Sequence, residues 1–200
     1  MEAARAQDAV YRGLGRAGRA VGEWCEVFRP DGPLLPLASR CRVLRMPAAF
    51  SAPDGRFARP VGHGQVYWHG VFDAAYTKVG DYIRRGDGAV WFIAAQQALM
   101  PVLCVRASRV VEVRRQAGPE RPGLAPYGGL VAGGAEVLLR GWPAGVVAAS
   151  GASALLLPAL SGVVLRPGDL VDDDLGRGGV IAQAELSELG WRLLVVRDAS

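Results

Sequence analysis

The sequence contains few lysines, histidines and cysteines, three residue types that often carry out catalysis or bind metals. Its 23 basic residues include a single lysine, Lys78, and the 200 residues contain two histidines and three cysteines. The odd number of cysteines, with no C-x-x-C pair, argues against a disulfide framework and favours a reducing compartment. His63 and His69 have no cysteine or carboxylate at a metal-ligand spacing, so we expect no metal site.

No sequence motif marks a catalytic centre or a cofactor site. Gly13 to Gly18 matches the glycine pattern of dinucleotide-binding loops, but it lies inside a helical pattern with no strand before it. Asp172 to Asp174 lacks the spacing of a calcium loop and suits a hairpin turn. Neither Ser51 nor Ser150 lies in a G-x-S-x-G sequence. We therefore predict a protein that is not an enzyme, with no catalytic, cofactor-binding or metal-binding residues.

One long uncharged stretch raises the question of a membrane span. Gly141 to Leu165 comprises 25 residues without a charge, which is enough to cross a bilayer as a helix. Pro143, Pro158 and several glycines break it into short apolar blocks, a pattern typical of strand, turn and strand. We expect no membrane span here, and the amphipathic first thirty residues do not read as a signal peptide.

Glycine and proline are plentiful, with 27 and 13 copies, and they punctuate a unit that occurs twice. The second copy repeats the first at a shift of 88 positions from Gly80/Gly168 to Ile93/Ile181, and of 91 positions at the closing arginines. The matching blocks are Val79–Ile83 with Pro167–Val171, Trp91–Ala94 with Val180–Ala182, Val102–Arg106 with Leu193–Arg197, and Val43–Ala48 with Leu138–Ala144. Short apolar strands between tight turns predict a small β-module for each copy.

The predicted fold is therefore mainly β, with an N-terminal amphipathic helix followed by two related small β-barrel or β-sandwich modules. We divide the chain into four parts: a helix with a proline-rich extended arm over 1–40, a first β-module over 41–115, a Gly/Pro linker over 116–134 and a second β-module over 135–200. The strand candidates of the second module include Glu136–Leu139, Val146–Ala149 and Gly162–Leu165. A duplicated β-module without a catalytic motif favours assembly over chemistry.

The N-terminal helix is predicted over residues 3–28, because apolar residues from Val10 to Phe28 recur mostly every three or four positions. Arginines at the same spacing form a basic stripe. Several glycines weaken this helix, so we expect it to need a partner surface, on its own β-module or on a neighbouring subunit. The candidate interaction surface comprises Arg5, Arg12, Arg16, Arg19 and Trp24.

Several short segments resemble a group of virion proteins of tailed bacteriophages. They are Gln7–Gly15, Val27–Pro30, Arg45–Phe50, Val79–Tyr82, Trp91–Gln96 and Leu189–Leu193. A β-module with a Gly-Asp turn before an aromatic strand is also similar to phage head-completion and neck proteins, which form rings between portal and tail.

This resemblance implies a viral structural protein that is made in the bacterial cytoplasm and located in the virion. Its expected role is a homo-oligomeric ring at the head–tail interface, a neck or connector, or a component of the tail. Its partners would be itself, neighbouring portal, tail or fibre proteins and, weakly, packaged DNA through the arginine stripe. Alternatives are a capsid decoration protein, a baseplate or fibre-anchoring protein, a nucleic-acid-binding protein or, from another class, a virion-borne cell-wall hydrolase.

Overall fold

The computed structural model describes residues 2–52, 66–116, 135–149 and 152–196, and it confirms the mainly β fold with an N-terminal helix. The described elements are α1 (Glu2–Val21), β1 (Glu23–Phe28), β2 (Arg42–Ser51), β3 (Tyr67–Val71), β4 (Tyr82–Arg84), β5 (Val90–Ala95), β6 (Val102–Ala107), β7 (Arg109–Gln116), β8 (Ala135–Ala149), β9 (Ala152–Leu157), β10 (Leu170–Asp173), β11 (Gly178–Ser187) and β12 (Gly190–Val196). Short 3-10 helices lie at Ser39–Cys41 and Ala74–Tyr76.

The twelve described strands form two closed antiparallel rings of the same topology. The first barrel has the order β1-β2-β3-β6-β5-β4, and β4 pairs with β1 to close it. The second has the order β7-β8-β9-β12-β11-β10, and β10 pairs with β7. Each strand of the first barrel therefore corresponds to the strand six places later, so the repeat extends over whole barrels.

Strand register matches the two barrels residue by residue. Glu26 pairs with Arg45 in the first barrel, and Glu112 pairs with Arg140 in the second. The register also shifts at the same place in both barrels, between Ile93 and Ala95 and between Ile181 and Gln183. The second barrel has one additional residue in β8, Gly141, whose φ of 71° is suited to glycine at a bulge.

The predicted helix was too long. It ends at Val21, and Glu23–Phe28, predicted as its last turns, forms β1. The side chains of Cys25 and Val27 point into the barrel while Trp24 is exposed, which is the alternation of a strand. The apolar residues of this segment fit a helical and a strand pattern almost equally well. The strand forms because β1 closes the barrel by pairing with both β2 and β4.

Strand membership also differs from the predicted division of the chain. The first barrel begins at β1, inside the part assigned to the helix and arm, and ends with β6. The strand β7, which except for its last residue Gln116 was assigned to the first module, is the first strand of the second barrel. The predicted linker therefore connects two strands of one barrel, β7 and β8, and its residues 117–134 lie outside the described part of the chain.

Two strand predictions in the second barrel also need correction. Glu136–Leu139 and Val146–Ala149 belong to one continuous strand, β8, because the residues between them keep pairing with β7 through the Gly141 bulge. Gly162–Leu165 is not a strand, and Val163 instead closes a turn onto Leu160. Within the uncharged stretch from Gly141, residues 141–149 belong to β8 and Ala152–Leu157 forms β9, as predicted for strands, and residues 150–151 lie outside the described part of the chain.

The two barrels pack against each other through an apolar interface. One cluster of buried side chains runs from Tyr82, Phe92 and Val105 of the first barrel into the interior of the second. The Tyr82 hydroxyl donates a hydrogen bond of 2.8 Å to the carbonyl of Pro143. At Gly145, an added Cβ would lie 2.5 Å from Cγ1 of Val105, so the barrels approach too closely for any larger residue.

The proline-rich arm reaches the second barrel of the same chain. Leu34 forms a parallel β-bridge with Arg140, and the Leu35 amide donates to the Arg140 carbonyl over 2.8 Å. The indole nitrogen of Trp142 donates to the carbonyl of Pro33 at 2.7 Å. The arm therefore ties the two barrels together at the bulge in β8.

Candidate functional site

The helix α1 packs on the first barrel through buried glycines and through Tyr11, a residue of the predicted apolar stripe that contacts the core of that barrel. Gly15 and Gly18 are buried, whereas Val21 is 73% exposed. A Cβ on Gly18 would lie 2.7 Å from the carbonyl oxygen of Val71, and one on Gly22 would lie 2.6 Å from that of Ala48. The helix backbone therefore rests directly on β2 and β3, which confirms the prediction of a partner surface on its own module.

This packing leaves the arginine stripe on the outside. Arg5, Arg12, Arg16 and Arg19 are all exposed, and at 3.6 residues per turn they lie along one side of α1. None of the four forms an ion pair with another residue in the described part of the chain. The stripe is therefore a cationic surface that is not neutralised by described acidic residues.

Trp24 lies at the end of this stripe, in a groove between α1 and the first barrel. The groove has a volume of about 370 Å³, and we call it the Trp24 groove. It is lined by Arg19, Trp24, Leu44, Met46, Pro47 and Tyr76, with Gly15, Arg45 and Asp73 completing the wall. The structure thus brings Arg19 and Trp24 together, while the other three predicted arginines lie along the helix away from the groove.

The groove exposes two large aromatic side chains. Trp24 is 64% exposed and Tyr76 is 69% exposed. Asp73, its one acidic residue, caps the adjoining 3-10 helix by accepting a hydrogen bond from the Ala75 amide at 3.1 Å. Exposed aromatic rings beside arginine are the composition typical of protein interfaces. Tyr76 was missed by the sequence reasoning because it is distant from Trp24 along the chain.

A surface that is both acidic and apolar lies on the second barrel. The hairpin between β11 and β12 exposes Glu185, Leu186 and Glu188, and Leu186 is 56% exposed. Neither glutamate takes part in a described ion pair. We call this surface the Leu186 hairpin. Its charge is opposite to that of Arg19 and Arg45 in the Trp24 groove.

Each barrel also contains the same buried ion pair, which is structural rather than part of a site. Arg29 donates two hydrogen bonds to Asp81, at 2.9 and 2.8 Å, and Arg115 donates two to Asp169, both at 2.8 Å. Both aspartates lie in Gly-Asp turns with glycine φ near 91°. The sequence reasoning found the turns but missed the arginines. The arginines could have been found by aligning Cys25–Arg29 with Val111–Arg115 as two copies of one strand. This alignment was missed because residues 23–28 were predicted to be helical.

The cysteines and histidines do not assemble a catalytic group in the described residues. Burial raises the pKa of Cys25 to about 11, with the negative charge of Glu23 adding to the effect, and burial also raises the pKa of Cys104. A thiol in that state is a poor nucleophile at neutral pH. His69 is buried in β3, and His63 lies outside the described residues.

Asp173 lies where the sequence predicted a hairpin turn. Its side chain accepts hydrogen bonds from the amides of Leu175 and Arg177, both at 2.9 Å, in the connection between β10 and β11. Across residues 2–52, 66–116, 135–149 and 152–196, no three His, Cys, Asp or Glu side chains are grouped so that they could hold a metal ion. No helix in the same ranges is both long and apolar enough to cross a bilayer.

Comparisons of the chain with protein-family models, with curated protein sequences and with solved structures find no match. The functional argument therefore depends on the geometry of the two barrels and on the surfaces that they expose.

Proposed function

We propose that the chain is a structural protein that assembles with copies of itself into a ring, as a component of a tailed-phage particle at the head–tail interface or in the tail. The observation that carries the proposal is the exposed Trp24 groove, with its arginines, together with the oppositely charged Leu186 hairpin on the other barrel. Placement as a capsid decoration, baseplate or fibre-anchoring protein belongs to the same class of assembly function.

The two surfaces suit a contact between different faces of neighbouring copies. Leu186 would enter the groove beside Trp24, and Glu185 and Glu188 would face Arg19 and Arg45. Because the groove lies on the first barrel and the hairpin on the second, each copy could bind one neighbour at each end. Such heterologous contacts generate closed rings when the rotation between copies closes.

The proposal is tested by exchanging charges across the contact. Arg19→Glu with Arg45→Glu should reduce the mass of the assembly in light scattering, and adding Glu185→Arg with Glu188→Arg should restore it. Trp24→Ser should also dissociate the assembly, whereas Leu175→Ser, an equally exposed leucine in a loop, should leave it intact. An assembly that survives Trp24→Ser, or a reversal that the second pair does not rescue, would contradict the contact.

A second candidate function, contact with nucleic acid, is favoured by the unneutralised arginine stripe on α1. Arg12→Ala with Arg16→Ala should weaken binding to double-stranded DNA and make the affinity less dependent on salt, because fewer counterions are released. The matched control is Arg166→Ala with Arg177→Ala, which removes the same charge from exposed positions on the second barrel. If both double variants weakened DNA binding equally, the affinity would depend only on the net charge of the protein and not on the stripe.

A further inference from the structure

The two barrels differ most at one end of their interiors. In the first barrel this end is filled by Trp91 and Phe50, whose rings stack with their centroids 4.0 Å apart and 3° between their planes. Trp91 is buried there against Cys25, Ile83 and Cys104. The indole thus closes the end of the barrel with a planar aromatic plug.

The second barrel lacks this plug. Trp91 pairs with Ile83, and the matching pair in the second barrel is Gly179 with Val171, so glycine stands in place of tryptophan. Phe50 corresponds to Val146 by the register of β8. Two aromatic side chains of the first barrel are therefore replaced by a hydrogen atom and an isopropyl group.

A cavity of about 220 Å³ remains at this end of the second barrel. Its floor is formed by Val111, Leu155, Val171 and Val195, of which Val111, Val171 and Val195 correspond to the residues that enclose Trp91 in the first barrel. An apolar cavity of about 150 Å³ already suffices to bind benzene. The cavity therefore has room for one ring system, and the first barrel indicates the shape that fits.

The rim of the cavity is polar and carries a net positive charge. Arg109, Asp173 and Arg177 line it, together with Ser108 and Ser153. Asp173 lies 3.8 Å from Nε of Arg109 and also accepts the amides of Leu175 and Arg177. The side chain of Arg177 is exposed and forms no ion pair with the described residues. The Arg177 guanidinium at the mouth of the cavity can therefore pair with an anionic group of a ligand.

We propose that this end of the second barrel is a binding site for a small planar aromatic carboxylate. The ring enters between Val111, Val171 and Val195, in the place that Trp91 occupies in the first barrel. The carboxylate stays at the mouth, beside Arg177. This site lies in one end of the second barrel and opens to solvent at its mouth, whereas the Trp24 groove lies between α1 and the first barrel. The site does not depend on the proposed assembly function.

The experiment uses indole-3-acetate as the anionic probe and indole as the neutral one, with the full-length chain. Calorimetry should show one saturable site per chain for indole-3-acetate and weaker binding of indole. Val146→Phe, which restores the residue type of Phe50, should fill the cavity and weaken binding by about tenfold or more. The matched control is Val147→Phe, since the next residue in the strand points to the other face.

Arg177→Ala should weaken binding of indole-3-acetate and leave binding of indole nearly unchanged, which separates the carboxylate contact from ring burial. Methyl NMR signals of Val111, Val171 and Val195 should shift on titration of the unmodified chain, and this readout does not depend on how any variant folds. Absence of saturable binding by both probes, or equal loss in Val146→Phe and Val147→Phe, would overturn the proposal.

Discussion

At the scale of single residues, the duplication is most evident in the buried ion pairs that repeat with the same atoms. In each barrel the aspartate of the Gly-Asp turn accepts from an arginine at the end of the first strand and from a backbone amide, Lys78 in one case and Arg166 in the other. Both arginines also donate to a carbonyl, of Tyr76 or Val164. In each barrel, this arginine–aspartate ion pair therefore links the first strand to the Gly-Asp turn that precedes the fourth strand.

Removing the charge from one of these aspartates should destabilise the barrel that contains it. Asp81→Asn and Asp169→Asn should each lower the free energy of unfolding by about 2 kcal/mol, because the arginine loses its charged partner. The loss stays moderate because each arginine is partly exposed to solvent. Urea titration measures this. Asp174→Asn, at an exposed position in the second barrel, is the control and should change stability little. A loss of the same size in all three variants would contradict a specific role for the ion pairs.

The buried thiols make a second prediction at this scale. Cys25, Cys41 and Cys104 should resist thiol reagents at pH 8 and react only when the chain unfolds. Since the folded chain raises the pKa of Cys25 from 9.0 to about 11, the unfolded chain loses its proton first, and stability should fall as the pH rises through this window. Cys25→Ala should flatten that fall. Rapid labelling of the native chain would contradict the burial.

At the scale of elements, the helix α1 covers a face of the first barrel, and the equivalent face of the second barrel is covered by the first barrel. On the first barrel the helix covers Pro47 and Ala48 of β2, and on the second barrel Pro143, which corresponds to Pro47, faces the first barrel together with Gly145. The helix therefore covers, at the start of the tandem, the face that the next repeat uses for packing. Capping elements of this kind are typical of repeat proteins.

The docking of α1 depends on the absence of side chains at its buried face. Gly18→Leu should separate the helix from β2 and β3, lower the free energy of unfolding by about 2 kcal/mol and expose the N-terminal segment to proteases. Gly13→Leu is the matched control, because an added Cβ at Gly13 has open space around it. Limited proteolysis with thermal unfolding would show the difference. Equal behaviour of the two variants would mean that the glycine face does not hold the helix.

Much of each element could be predicted from the sequence, and the errors have physical causes. The repeat, the Gly-Asp turns and most strands follow from local patterns of apolar residues and glycine. The end of α1 and the start of β1 did not, because Val21, Trp24, Cys25 and Phe28 have a helical spacing while Cys25 and Val27 alternate as in a strand, and only barrel closure decides between the two patterns. Likewise, the Trp24 groove and the unfilled end of the second barrel depend on residues that are distant in sequence.

At the scale of the whole molecule, an apolar cluster joins the two barrels, although the first barrel also has an interior cluster of its own, and we expect the barrels to unfold together. The cluster that contains Tyr82, Phe92 and Val105 continues into the second barrel, and the arm from Pro33 to Leu35 crosses the same boundary. An interface of this kind resembles a domain core more than a transient contact. We therefore expect a single cooperative transition by heat or denaturant.

Tyr82→Phe tests the coupling between the barrels directly. The change removes the hydroxyl that donates to Pro143, leaves that carbonyl unsatisfied and should cost about 1–2 kcal/mol of unfolding free energy. Tyr76→Phe, at an exposed ring, is the control and should be neutral. Denaturant titrations followed by tryptophan fluorescence and by circular dichroism should coincide for the native chain. Two separated transitions would show that the barrels are independent.

We propose that this duplicated barrel assembles with copies of itself. The most direct test is the mass of the unmodified protein in solution, measured by light scattering over a series of dilutions. The account predicts a discrete multiple of the 21.1 kDa chain that keeps one value across the series. A mass of 21.1 kDa at every concentration would contradict it.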